Sequence, residues 1–184
     1  MLLDEYAIVL DYLPNGYPGR RRAEPVAQAL GTELLTLLEL AVRPEFQLKP
    51  GEKVYIGREK RDKIKFIMGR ISTKELTNAS FSMMQEIVAQ IIREKEKRFV
   101  HFFNHATMIT PRMHQLELLP GIGKKHVEDI LDKRKQKQFE SFDDIRERVK
   151  LMPDPAKTIE KRVAEELEGN QKYYLFVPAP AMHR

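Results

Sequence analysis

At the start of its C-terminal third the chain reads Leu119-Pro120-Gly121-Ile122-Gly123-Lys124-Lys125, a spacing suited to binding an anion. Gly121 and Gly123 lack a Cβ, so a phosphate can approach the backbone closely, and either residue can adopt a positive φ. A helix starting beyond Gly123 would turn its free N–H groups and positive dipole end outward, with the full charges of Lys124 and Lys125 beside them. Ile122, between the glycines, is placed to point back as an apolar anchor. Upstream, Thr110-Pro111 predicts a helix start, with Thr at the cap and Pro at the first helical position. That helix would run through Leu116 and Leu119 and stop at Pro120-Gly121. Val127, Ile130 and Leu131 form the buried stripe expected of a second helix, and two helices joined so tightly make an αα-hairpin.

Hydrophobic–Pro-Gly-Ile-Gly followed by basic residues, over about residues 112–135, resembles the helix-hairpin-helix family of DNA- and RNA-binding modules. The resemblance implies contact with the phosphate backbone. A shift of 33 places lays Val149–Lys157 over Leu116–Lys124 and Val163 over Ile130, which predicts a tandem pair. The pair is unequal. Residues 112–139 carry seven basic and four acidic side chains, whereas 140–168 carry six and nine. In the second copy Asp154-Pro155-Ala156 replaces Gly-Ile-Gly, so a carboxylate caps the helix where a phosphate would sit and Pro155 removes a donor. The first hairpin is therefore expected to bind and the second to brace it.

The elements that must carry this site begin with short strands. Residues 6–13, 24–30, 54–56 and 63–71 have strand composition, and 32–42 reads as strand or helix. Lys49-Pro50-Gly51-Glu52 is a turn, and residues 54–71 are expected to form a hairpin across 58–62. Five strands in about seventy residues fit an OB-like β-barrel. Its basic loops, with Arg20, Arg21, Arg22 and with Lys60, Arg61, Lys63, would then help hold an oligonucleotide. From Ser72 the period becomes helical. Ser72–Glu75 and Ser82–Gln85 match the capping box, and Asn78-Ala79-Ser80, a glycosylation sequon, is taken as a loop. Ile87, Val88, Ile91 and Ile92 share one helical face, and Phe99, Phe102 and Phe103 are read as core. Residues 172–177 have strand composition and are expected to return to a barrel edge.

The expected class is thus α+β multidomain: an OB-like barrel (1–71), a helical linker (72–109), a tandem helix-hairpin-helix domain (110–169) and a tail (170–184). The whole order resembles an uncharacterised archaeal family of predicted RNA-binding proteins, which implies RNA or DNA binding without known catalysis.

Other chemistries find little support. Cysteine is absent, which excludes disulfides, thiolate metal sites and a Cys nucleophile. His101 and His105 share a helical spacing, but no third or fourth metal ligand is evident. Asp129, Asp132, Asp143 and Asp144 read as a solvated face and a helix first turn rather than a nuclease centre, and no P-loop or Ser-His-Asp spacing occurs. A net charge of +5 is compatible with a polyanion. No apolar run reaches the ~20 residues of a bilayer span. The expectation is a cytoplasmic, non-enzymatic binder of RNA or DNA backbone with no cofactor, no small-molecule substrate and no membrane. Its rival is a protein–protein assembly module within a ribosomal or transcription complex.

Overall fold

Alternation along the first strand puts Ala7 and Val9 on one face, where they meet Ala27, Ala29, Leu38, Leu40, Val54 and Ile64 in a single apolar cluster. In the computed structural model, which describes residues 4–19 and 23–180, five strands build this sheet. They are β1 (Tyr6–Leu13), β2 (Val26–Gly31), β3 (Leu37–Val42), β4 (Lys53–Tyr55) and β5 (Ile64–Arg70). All pairings are antiparallel, in the order β4-β1-β2-β3-β5, and the sheet curls into a half-barrel. Register shifts at Val9/Asp11, Glu39/Leu40 and Ala41/Val42 supply the local bends a curled sheet needs.

The pairing corrects the expected hairpin over 54–71. β4 pairs with β1 and β5 with β3, so the two stand at opposite edges. Following the antiparallel ladder round the sheet, they run parallel to each other, which no tight hairpin can achieve. Residues 32–42 are neither one strand nor a helix. Leu35 has φ +55°, and only Leu37–Val42 is strand. A distant side chain makes that break. Asp4 Oδ1 accepts the N–H groups of Glu33 (2.7 Å) and Leu34 (2.9 Å), and Oδ2 accepts the Thr36 hydroxyl (3.0 Å). A Cβ on Gly31 would lie 2.0 Å from that same carboxylate, so glycine is required there. The turn at Lys49-Pro50-Gly51-Glu52 forms as expected, with Gly51 at φ +86° and Glu52 N–H donating to Lys49 O (3.0 Å).

The helical segment starts later than its first capping box. Glu75 accepts the Ser72 N–H (2.7 Å) over a 3-10 turn at Thr73–Glu75, and α1 spans Asn78–Glu94. Thr77 caps α1: its Oγ1 accepts from Ser80 N–H (3.0 Å) and donates to the Asp11 carboxylate (2.6 Å). Asn78 is therefore the first helical residue rather than a loop, and Ser82 lies inside the helix instead of capping it. Met84, Ile87, Val88, Ile91 and Ile92 are its buried stripe. The chain breaks at Lys95, and α2 (Glu96–His105) buries Phe99, Val100 and Phe103.

Beyond α2, the expected helix at Thr110-Pro111 is replaced by a two-stranded ribbon, β6 (Met108–Thr110) and β7 (Met113–His114), with Pro111 in its turn. Only a four-residue 3-10 helix, Gln115–Leu118, precedes Pro120. Then come α3 (Lys124–Gln136), α4 (Phe142–Arg148) and α5 (Pro155–Glu168). The chain divides into two compact units, one of residues up to Val88 together with those from Glu166, the other Ala89–Glu165. In the second, Leu116, Leu119, Val127, Ile130, Phe139, Ile145, Val149 and Val163 are buried, while Leu131 is half-buried.

Arg148 closes the end of α3. It donates to the carbonyls of Lys133 (2.8 Å) and Lys137 (2.6 Å), lies 4.6 Å from the Phe139 ring centroid, and is held by Asp144 (3.0 Å). Burial pushes the Asp144 carboxyl up, but hydrogen bonds from Glu140 N–H and Arg148 outweigh it and hold the group below its usual range.

In the first unit, residues 172–177 do not form the expected strand. The buried Glu166 takes the place of a ladder, accepting the N–H groups of Leu175 (2.7 Å), Phe176 (2.9 Å) and Val177 (2.9 Å). Arg70, at the end of β5, donates to the carbonyls of Pro178 (2.9 Å) and Ala179 (3.3 Å). Among the described residues, no helix is long and apolar enough to cross a membrane.

Candidate nucleic-acid interface

Five of the expected binding residues lie together. The 3-10 helix ends at Leu119, whose carbonyl accepts the Ile122 N–H (3.0 Å). Gly121 turns the chain at φ +84°, a conformation costly for other residues. Ile122 swings inward and is 6% exposed, which contributes about 2 kcal/mol by burial. Gly123 caps α3 with φ −102° and ψ 179°. That backbone suits any residue, and a Cβ built there meets nothing within 4 Å. Neither conformation nor packing requires glycine at 123. Lys124 and Lys125 are exposed, and neither pairs with a carboxylate among the described residues. As the first two residues of α3, they have N–H groups with no acceptor inside the helix.

His126, which the sequence reading overlooked, fixes this turn. Its Nδ1 accepts the Gly123 N–H (3.2 Å), and its Nε2–H donates to Leu151 O (3.0 Å), which one neutral tautomer satisfies. Its position three residues after the cap, the acceptor position of a capping box, was the available signal.

The second turn has the same plan with different chemistry. α4 ends at Val149, whose carbonyl accepts the Met152 N–H (3.4 Å), and Asp154 precedes α5. Asp154 Oδ1 accepts the N–H groups of Ala156 (3.0 Å) and Lys157 (3.3 Å), and Lys157 is paired with Glu160 (2.8 Å). Leu119 and Val149 are 30 residues apart, whereas the caps Gly123 and Asp154 are 31 apart. The expected uniform shift of 33 is therefore corrected: Asp154 stands over Gly123, not Gly121, and the second turn holds one extra residue. Leu151, at φ +53° and 85% exposed, lies in that longer turn. Gly121 and Pro153 face each other, with 3.7 Å between a Cβ built on the glycine and the proline Cγ.

The remaining basic residues divide. Arg20, Arg21 and Arg22 lie outside the described residues. Lys60, Arg61 and Lys63 lie in the connection from β4 to β5. Lys60 is exposed, whereas Arg61 Nε donates to Gly57 O (2.8 Å) and Lys63 is bonded to Glu52. That ammonium holds the Glu52 carboxyl below its usual range. His101 and His105 stack with centroids 3.8 Å apart, and His105 Nδ1 lies 2.9 Å from His101 O. Among the described residues, no three His, Asp or Glu side chains gather around a metal position. Asp129 accepts the Lys150 N–H (2.7 Å), and Asp143 pairs with Arg146 (2.9 Å), so both serve the fold.

A half-barrel sheet with five helices, two of them entered through matched turns, defines the protein class as α+β. The chain belongs to the family described as protein of unknown function (DUF655), which matches residues 3–178. It is 43% identical over 176 residues to an uncharacterized protein of Methanocaldococcus jannaschii, MJ0038, covering 95% of this chain and 80% of that one. It is also similar to the crystal structure of Af1531 from Archaeoglobus fulgidus, of the same family. There the TM-score is 0.84 with 42% identity, over 95% of this chain and 99% of that one.

Proposed function

We propose that this chain is a non-catalytic nucleic-acid-binding protein of the cytoplasm that grips the phosphate backbone through the turn at residues 119–125, as a helix-hairpin-helix module does. The observation that carries the reading is Gly123. Glycine ranks close to Ser, Thr, Asp and Asn at a helix cap, but unlike them it places no side-chain oxygen on the first N–H groups and leaves the backbone open to a close approach. A phosphate oxygen suits that opening, because the N–H groups of Lys124 and Lys125 have no acceptor inside the helix, the positive end of the helix dipole lies there, and both lysines are exposed in the same turn. RNA is favoured over DNA by the resemblance of the whole chain to archaeal predicted RNA-binding proteins. Backbone contacts themselves position a protein without reading sequence.

The test is a titration of single- and double-stranded RNA and DNA of equal length at two salt concentrations. Binding should weaken with a log–log slope of about −0.7 to −0.9 per phosphate neutralised, and Lys124→Glu should lower that slope by about one contact. Unchanged affinity in Lys124→Glu would overturn the reading. The rival reading is a protein partner docking within a ribosomal or transcription assembly, with the 85% exposed Leu151 of the second turn as the contact to test. Such a contact would be nearly insensitive to salt.

A further inference from the structure

We propose that the open mouth of the half-barrel is a pocket for a single unstacked nucleotide. This deepens the nucleic-acid reading, but it rests on a different unit of the chain. The seam left between the edges β4 and β5 holds a cavity of about 830 Å³, within the usual range for small-ligand pockets. Leu38, Ile56 and Ile67 give it an apolar floor, and Tyr55, Arg58 and Arg61 form one wall.

That wall is built rather than loose. The Tyr55 hydroxyl accepts the Glu59 N–H (3.3 Å), and the ring meets Tyr6 edge-on with centroids 5.3 Å apart. A Cβ on Gly57 would stand 2.3 Å from the Tyr55 hydroxyl, so a larger residue there would force the ring to move. Arg61 Nε is fixed on Gly57 O, and Arg43 donates to Arg61 O through Nε and a terminal nitrogen (both 3.3 Å).

The polar groups left unspent select the ligand. Arg58 has no partner among the described residues, and neither do the terminal nitrogens of Arg61. Of the carboxylates at the rim, Asp4 is consumed by three donors, while Glu5 and Glu59 are exposed. Planar guanidinium groups beside an apolar floor and an aromatic ring suit a flat, apolar body that carries an anion. A nucleotide has both: its base stacks on aromatic and aliphatic surface, and its phosphate takes the forked donors. A paired, stacked duplex offers no such base. The occupant is therefore a nucleotide of a single strand or a free mononucleotide.

The experiment uses the full chain and a short single-stranded RNA carrying 2-aminopurine, with Ile67→Trp to fill the floor and Arg58→Glu to reverse the wall. Circular dichroism should be unchanged in each, and Tyr55→Phe, which removes only the hydroxyl and keeps the stacking ring, should bind the strand and alter the emission as the parent does. Binding should alter the 2-aminopurine emission in the parent protein. Ile67→Trp should abolish that change and weaken single-strand affinity about tenfold, roughly what one stacked base contributes, leaving duplex affinity unchanged. Competition by adenosine monophosphate assigns the pocket to a free nucleotide, and its absence, with the variant effects intact, to a residue within a strand. If Ile67→Trp and Arg58→Glu both leave emission and affinity as in the parent, the pocket proposal is overturned. Loss in these variants while Lys124→Glu has no effect would sink the phosphate-turn reading and leave the pocket standing.

Discussion

The turns at 119–125 and 149–157 start from the same plan and end in opposite chemistry. Each leads from a short helical segment into a longer helix, buries an apolar anchor, Ile122 or Met152, and contains one residue at positive φ. In the first, positive φ falls on Gly121, the cap is a glycine, and the two lysines pair with no carboxylate among the described residues. In the second, it falls on Leu151, the cap is Asp154, and Lys157 is spent on Glu160. A helix can satisfy its first N–H groups from within or leave them for a ligand. The pair shows one chain making both choices, which is why only the first turn is read as binding.

Four tests would break or sharpen this contrast. The largest effect is expected from the anchors. Ile122→Ala should cost about 2–5 kcal/mol in denaturant unfolding, whereas Leu151→Ala, at an exposed side chain, should change stability by under about 0.5 kcal/mol. Gly123→Asp then moves the second turn's cap into the first. Since backbone and space both admit it, stability should hold or rise by a few tenths of a kcal/mol while oligonucleotide affinity drops about tenfold or more. A variant that binds as the parent does would show that the opening at Gly123 has no role. Asp154→Ala should cost about 1 kcal/mol of thermal stability and leave affinity alone, and a parallel loss of binding would mean that the second turn touches the ligand.

The smallest effect is on acidification. The leading segment of the first turn is capped by His114, whose Nδ1 accepts the Leu116 N–H (3.1 Å), whereas α4 is capped by Ser141, which does not titrate. Burial lowers the His114 pKa from 6.5, Arg134 lowers it further, and Glu117 partly opposes them. The unfolded chain therefore takes up the proton first. The stability tied to His114 is complete above pH 6.5 and declines as pH falls below that value toward the folded pKa. Hydrogen exchange should show protection near residues 114–119 falling before that near 141–149, and His114→Asn should flatten the difference.

The features legible in the sequence were those that neighbouring residues decide. β1, the turn at Gly51, the buried stripe of α1 and the cap at Asp154 all follow from local spacing. What failed was set at a distance. Asp4 breaks the Leu-rich run at 32–36 from just before the neighbouring strand β1, far away in sequence, and the partners of β4 and β5 are chosen by the ladder rather than by the loop joining them. Thr110-Pro111 has the residues of a helix start, but pairing of Met108–Thr110 with Met113–His114 takes the segment first. At the site, the glycines and lysines were visible, and the register of the repeat was not. Matching apolar letters gave 33, whereas the helix caps, defined by hydrogen bonds, give 31. The basic loop at 60–63 is legible only as charge, which is blind to the bond from Lys63 to Glu52.

Two parallel edges on one open sheet also bear on how the molecule behaves in a crowded solution. Because β4 and β5 run the same way, a single extended segment antiparallel to both could satisfy them together, so a neighbouring chain would find a ready template. The chain blunts that hazard cheaply. β4 has only three residues, Lys53 and Lys65 put charge along the edges, the ladder of β5 is interrupted twice, and Arg70 tethers the residues at 178–179 beside the far end. High salt screens those lysines, so the first form of aggregation to emerge should be edge-to-edge pairing of otherwise intact molecules rather than association of unfolded ones.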